Sequence, residues 1–230
     1  MKTKIMFFLL LSVSTVVQAQ VNYEIRQGIE FFLTNKMNMG ELKNDLNLSD
    51  IQGSPYLKDE FVNGSIYTVQ NEEYVDVPMR YNVYNDEMEF KDANGEVKAI
   101  AAPEVLEKIE IGNQKLYYIP YWAAKKMKHG YFDLVTGGKA SLFIKHKVIF
   151  KDAEEPGAYK EEVPARFIKD LDEYYIRIGK EAAVIVGNKK DLVEIFPDHK
   201  DNIEAFIKKN KIKTNKAESL LELVNYYNTM

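Results

Sequence analysis

Val75-Asp76-Val77-Pro78-Met79-Arg80-Tyr81-Asn82-Val83 alternates apolar and polar side chains for nine residues. That is the two-residue period of a strand with one face buried. Pro78 has no N–H to give to a ladder, so it predicts an edge, a bulge or a break at that point. Asn85-Asp86 closes the run, and Met88 with Phe90 resumes it.

The same signal extends in both directions. Asn63-Gly64 precedes Ser65–Val69, and Gln70-Asn71-Glu72 turns the chain into Tyr74. Asn94-Gly95 is a hairpin signature. Lys108–Ile111 and Leu116–Ile119 flank Gly112-Asn113. Further strands are expected at His129–Val135, at Ser141–Phe150 after Gly137-Gly138, at Arg166–Ile168 and at Tyr174–Ile178. Ile109-Glu110-Ile111-Gly112 is echoed by Ile176-Arg177-Ile178-Gly179, too short a likeness to mark a duplication. Turns this frequent between short alternating runs imply antiparallel pairing.

After Gly187 the period becomes helical. Leu192, Val193, Ile195 and Phe196 run up to Pro197. Asp198 suits an N-cap before Ile203, Phe206 and Ile207, and Asn215-Lys216-Ala217-Glu218 has the form of a capping box before Leu220, Leu221, Leu223, Val224 and Tyr227. The fold class is therefore α+β: a mainly antiparallel sheet, as a meander, sandwich or open barrel, with C-terminal amphipathic helices packed on it. The boundaries are 1–19 for a leader, 20–52 for a partly helical N-terminal segment, 53–186 for the β region and 187–230 for the helices.

Lys2 and Lys4 precede an apolar stretch from Ile5 to Val17, and Val17-Gln18-Ala19 supplies small residues for signal peptidase. The stretch is shorter than the roughly 20 residues of a membrane span. Cleavage between Ala19 and Gln20 and residence in the periplasm or outside the cell are the expectation. The chain has no cysteine, which excludes disulfides and a cysteine-borne lipid anchor. Nothing after the leader reads as a membrane span.

Of 31 Lys and Arg, removal of Lys2 and Lys4 leaves 29, against 35 Asp and Glu. A net acidic chain is a poor nucleic-acid binder, because phosphates need an excess of cations. The charge is uneven. Acidic residues dominate from Glu41 to Gly112. From Asn113 to Lys151 the lysines at 115, 125, 126, 128, 139, 145, 147 and 151 face Asp133 alone. Either the two stretches pair within one sheet, or the second forms a basic docking face.

Val77-Pro78-Met79-Arg80-Tyr81-Asn82-Val83-Tyr84-Asn85-Asp86-Glu87-Met88-Glu89-Phe90, with Gly53-Ser54-Pro55-Tyr56-Leu57 and Glu60-Phe61 before it, resembles a set of exported Bacteroidota proteins. Asn188–Leu192 and Tyr226-Tyr227-Asn228 are similar to their closing segments. The resemblance implies export and a single unit over 53–230. It implies no activity.

Catalytic signatures are sparse. His129, His146 and His199 have no metal-binding spacing, so neither metal nor cofactor is expected. None of the serines after the leader stands in G-x-S-x-G or S-x-x-K. Asp92-Ala93-Asn94-Gly95-Glu96 begins like a calcium loop but lacks the later ligands, and a hairpin turn accounts for it. The richest stretch is Tyr117, Tyr118, Tyr121 and Trp122, followed by Lys125, Lys126 and Lys128. Exposed rings beside lysines suit an anionic partner such as an envelope polysaccharide or protein. Arg80, one of four arginines against 27 lysines, is a further anion-binding candidate. A binding module is the leading expectation. The alternative is a hydrolase whose site is assembled from scattered carboxylates and tyrosines.

Overall fold

The computed structural model describes residues 51–156 and 161–230. The leader, the Ala19–Gln20 cleavage site and the N-terminal segment up to residue 50 lie outside the described residues. The molecule is mainly antiparallel β with three C-terminal helices, as the alternation and the helical stripes require.

Ten strands form one curled sheet in the order β12-β11-β8-β7-β6-β5-β1-β2-β3-β4. They are β1 (Val62–Thr68), β2 (Glu73–Asn82), β3 (Glu87–Lys91), β4 (Val97–Ala99), β5 (Leu106–Ile111), β6 (Gln114–Ala123), β7 (Lys126–Thr136), β8 (Ala140–Lys145), β11 (Glu173–Ile178) and β12 (Val184–Ile185). A separate pair is made by β9 (Val148–Lys151) and β10 (Arg166–Lys169).

β6 and β7 are the hinge of the architecture, because their two faces serve two cores. One face sends Leu116, Tyr118 and Tyr131 into a core with Ile66, Met79, Tyr81, Met88, Phe90 and Ile109, against which β9–β10 packs Val148 and Phe167. The other sends Ile119, Phe132 and the half-buried Tyr117 and Tyr121 towards Phe143 and Tyr175. Ala183 hydrogen-bonds both Pro120 and Trp122 while the strand that follows it pairs with β11. Strands β6, β7, β8 and β11 and this strip therefore close around the second core. On the far side of β8 and β11, Ala140, Leu142 and Ile176 receive helices α1 (Lys189–Ile195), α2 (Lys200–Lys209) and α3 (Ala217–Asn228) through Leu192, Ile203, Ile207, Leu220, Leu223 and Val224.

Several local expectations change. The alternation fails at Val75, which is 58% exposed. Asp76 takes a left-handed φ of 56° beside the register shift between β1 and β2, so the bulge falls there and turns Val75 outward. Pro78 pairs with Asn63 on β1, and pairing with β3 begins only at Met79, so its missing N–H faces no partner. The run Ser141–Phe150 is two strands in different sheets, β8 and β9. His146 at the break is held by Asp172 (Nδ1 to Oδ1, 3.0 Å) and lies 3.5 Å from Asp133. α2 starts after His199, whose φ is 61°, and Asp198 makes no cap; it faces Lys139 at 3.7 Å. The expected box at α3 forms no side-chain cap either. Asn188 does cap α1, accepting from the Lys190 and Asp191 amides.

Candidate functional site

Strand pleating sorts the aromatic-basic stretch. Residues directly opposite on β6 and β7 share a face, and neighbours along a strand do not. Tyr121 opposes Lys128, Trp122 opposes Met127, and Ala123 opposes Lys126. Tyr117 and Tyr121 thus turn into the second core, where Tyr121 meets Phe132 and Tyr175 edge-on. Tyr118 turns the other way, against Tyr131 and stacked with His129 at 6.0 Å. The four rings do not form one platform.

What the stretch does build is a projecting tip. Ala124 and Lys125 both have positive φ (47° and 67°), which gives a tight two-residue reversal whose twist matches the strands. Trp122 is 47% and Met127 59% exposed, side by side on one face of this hairpin. Lys126 and Lys128 are exposed on the opposite face, and Lys125 stands at the turn. Asn113 to Phe132 contains no carboxylate.

Seven of the eight lysines from Asn113 to Lys151, all but Lys151, divide into two groups. Lys115 pairs with Glu110, Lys139 with Asp198, Lys145 with Asp86, and Lys147 with Asp170 and Glu173. Those lysines answer internal acids, two of them in the acidic stretch before Gly112. Among the described residues, Lys125, Lys126 and Lys128 face no carboxylate within ion-pair distance.

Arg80 is remote from this tip, since β5 and β1 separate β2 from β6. Its Nε donates to Glu89 (2.8 Å), one terminal nitrogen donates to the Tyr56 hydroxyl (2.6 Å), and the other to the Asp59 carbonyl (3.2 Å). The guanidinium also lies over the Tyr56 and Phe61 rings, 3.6 and 4.4 Å from their centroids. Glu89 takes a further bond from Asn82. The geometry joins β2 and β3 to the segment before β1.

A second polar cluster was not apparent in the sequence. Asp86, at φ 58° in the β2–β3 turn, reaches across to β7 just where β8 has departed. Its Oδ1 accepts from the Tyr81 hydroxyl (2.6 Å) and the Tyr131 amide (3.2 Å). Its Oδ2 accepts from Lys145 (2.6 Å), whose ammonium also donates to the Tyr131 carbonyl (3.1 Å). Side chains of Lys145 and Asp86 are only 14% and 27% exposed. Burial lowers the Lys145 pKa, although the Asp86 charge and hydrogen bond oppose the shift. Burial, and then the Asp86 charge, push the Tyr81 and Tyr131 hydroxyls well above the usual phenol range. Gly130 leaves room for this: a Cβ there would stand 2.6 Å from Lys145 Nζ and in hard contact with Asp86 Oδ2. The pair supplies the backbone partners that a neighbouring strand would have given Tyr131. No signal in the sequence links residues 86, 131 and 145, because the contact depends on how the sheet curls.

No family model, no curated protein and no solved structure matches this chain. Among the described residues, no helix is long and apolar enough to cross a membrane.

Proposed function

We propose that the chain is an exported envelope protein that works by binding, and that the β6–β7 hairpin tip meets an anionic partner. The observation that carries this reading is the division of the lysines. Those elsewhere in 113–147 have acidic partners, whereas Lys125, Lys126 and Lys128 are exposed beside Trp122 and Met127 and unmatched among the described residues. Exposed like charges repel one another, so three within four residues cost the free protein a little and favour an anion at that place. Arg80 is left out, since its guanidinium is occupied by Glu89, Tyr56 and Asp59.

The Asp86–Lys145 cluster supports binding over hydrolysis. Both Asp86 oxygens and the ammonium are spent on strand-to-strand contacts, which leaves no free general acid or base there.

The test uses mature protein and an isolated envelope fraction. Protein recovered from that fraction should begin at Gln20. At low salt it should be retained on envelope material and released as salt rises, because screening over about 8 Å at physiological salt weakens exposed charge attraction. Retention that is indifferent to salt would reject the anionic partner. A chain still beginning at Met1 in the cytoplasm would reject export.

A further inference from the structure

We infer that the partner of the β6–β7 tip is the surface of an anionic lipid bilayer, into which Trp122 and Met127 insert. This rests on the binding reading above and narrows it to one kind of ligand.

Apolar and basic groups occupy opposite faces of the hairpin. Trp122 and Met127 form a cross-strand pair on one face. Lys126 and Lys128 lie on the other face, opposite Ala123 and Tyr121, and Lys125 caps the end. A polysaccharide or acidic peptide lying on the Trp122 face could not also reach lysines on the reverse of the ribbon. A bilayer entered end-on surrounds the hairpin and engages both faces together. Trp122 and Met127 stand two residues from the turn, roughly 7 Å at about 3.3 Å per residue. That matches the approximately 5–10 Å depth at which peripheral proteins bury apolar groups at the headgroup boundary. At this depth the flexible lysine stems carry their ammoniums back to the phosphates. Tryptophan prefers such a boundary because its body is apolar and its N–H polar. Met127 supplies an unbranched apolar group with no polar atom that would resist the lipid.

Charge fits as well. Asn113–Phe132 carries Lys115, Lys125, Lys126 and Lys128 and no acid, so the hairpin itself presents no negative charge to an anionic headgroup. Each lysine near such a surface contributes roughly fivefold in partitioning, so the three at the tip together give on the order of a hundredfold.

Trp122 is the only tryptophan in the chain, so its emission reports the tip alone. The experiment titrates the mature protein with vesicles of equal phosphatidylglycerol and phosphatidylcholine, with pure phosphatidylcholine vesicles, and with alginate, a soluble polyuronate. A blue shift of Trp122 emission and co-sedimentation with the anionic vesicles, roughly a hundredfold weaker on phosphatidylcholine and weaker by at least that factor after replacement of Lys125, Lys126 and Lys128 by Glu, is the expected result. Met127→Ser should weaken partitioning several-fold without altering the melting temperature. Binding to alginate with no shift on vesicles would overturn the lipid assignment while leaving the tip as the binding site. Binding to neither would overturn the lipid assignment and the anionic-partner reading together.

Discussion

Replacing Asp86 by alanine should cost the protein about 4 kcal/mol. The carboxylate serves three donors: the Tyr81 hydroxyl, the Tyr131 amide and the Lys145 ammonium. An orphaned buried donor costs about 1–3 kcal/mol. About 1 kcal/mol each for the two neutral donors and about 2 for the ammonium, which keeps 14% of its side-chain surface in water, gives about 4. The left-handed backbone at residue 86, φ 58°, adds to the loss, because alanine tolerates it less well than aspartate. In a domain of this size each kcal/mol moves the midpoint by roughly 2–4 °C, so the melting temperature should fall by about 8–16 °C. Asp86→Asn keeps the shape and an oxygen that accepts from Tyr81 and Tyr131, but its NH2 then faces the Lys145 ammonium, so it should lose the ammonium's share, about 2 kcal/mol. Urea unfolding followed by far-UV circular dichroism measures both, and Lys145→Met completes a double-mutant cycle for the pair. A loss below 1 kcal/mol for Asp86→Ala would refute the cluster as a seam. A gain in stability would mean that these groups are held under strain for chemistry, and would revive the hydrolase alternative.

Two further perturbations address other joints. His146 sits between Asp133 and Asp172; burial opposes its charge, but the hydrogen bonds and charges of the two aspartates prevail and the pKa is raised. A raised folded pKa means that its stabilisation is complete below the unfolded value of about 6.5 and disappears as pH rises through the folded one. The melting-temperature gap between wild type and His146→Gln should therefore narrow between pH 5 and pH 9, and a gap that does not change with pH would refute the ionic role. Asn228 closes α3 onto β8 by accepting from the Ala140 amide (2.7 Å) and donating to its carbonyl (2.9 Å). Asn228→Ala should cost about 2 kcal/mol in urea unfolding, and removal of residues 188–230 should bare Leu142 and Ile176 and cause aggregation; a truncated protein that stays monomeric with an unchanged midpoint would refute the packing role.

The sequence was legible wherever a signal is local. Period two marked β2, β5 and β11, Asn94-Gly95 marked a reversal that Asp92 braces by accepting from the Asn94 and Glu96 amides, and the stripes of α2 and α3 found their buried faces. It was misleading where one pattern spans two structures. Ser141–Phe150 reads as one unbroken strand, with no turn residue inside it, yet the chain leaves one sheet for another at His146, held by aspartates distant in sequence. The aromatic cluster suffered from the same periodicity that revealed the strands. Adjacent rings at 117–118 and 121–122 must point to opposite sides, so only Trp122 of the four is freely exposed. Composition could not separate paired lysines from unpaired ones. That distinction depends on which strands the curl brings together, and it is the distinction on which the binding reading turns.

The most direct test of that reading exchanges the three tip lysines for glutamate and measures, on the same preparation, retention on envelope material across a salt series and the thermal midpoint. The account predicts that retention is lost while the midpoint stays within about 2 °C of wild type, as surface substitutions usually change stability by no more than about 0.5 kcal/mol. A lowered midpoint with retention intact would contradict it, because Lys125, Lys126 and Lys128 would then serve the fold and not a partner.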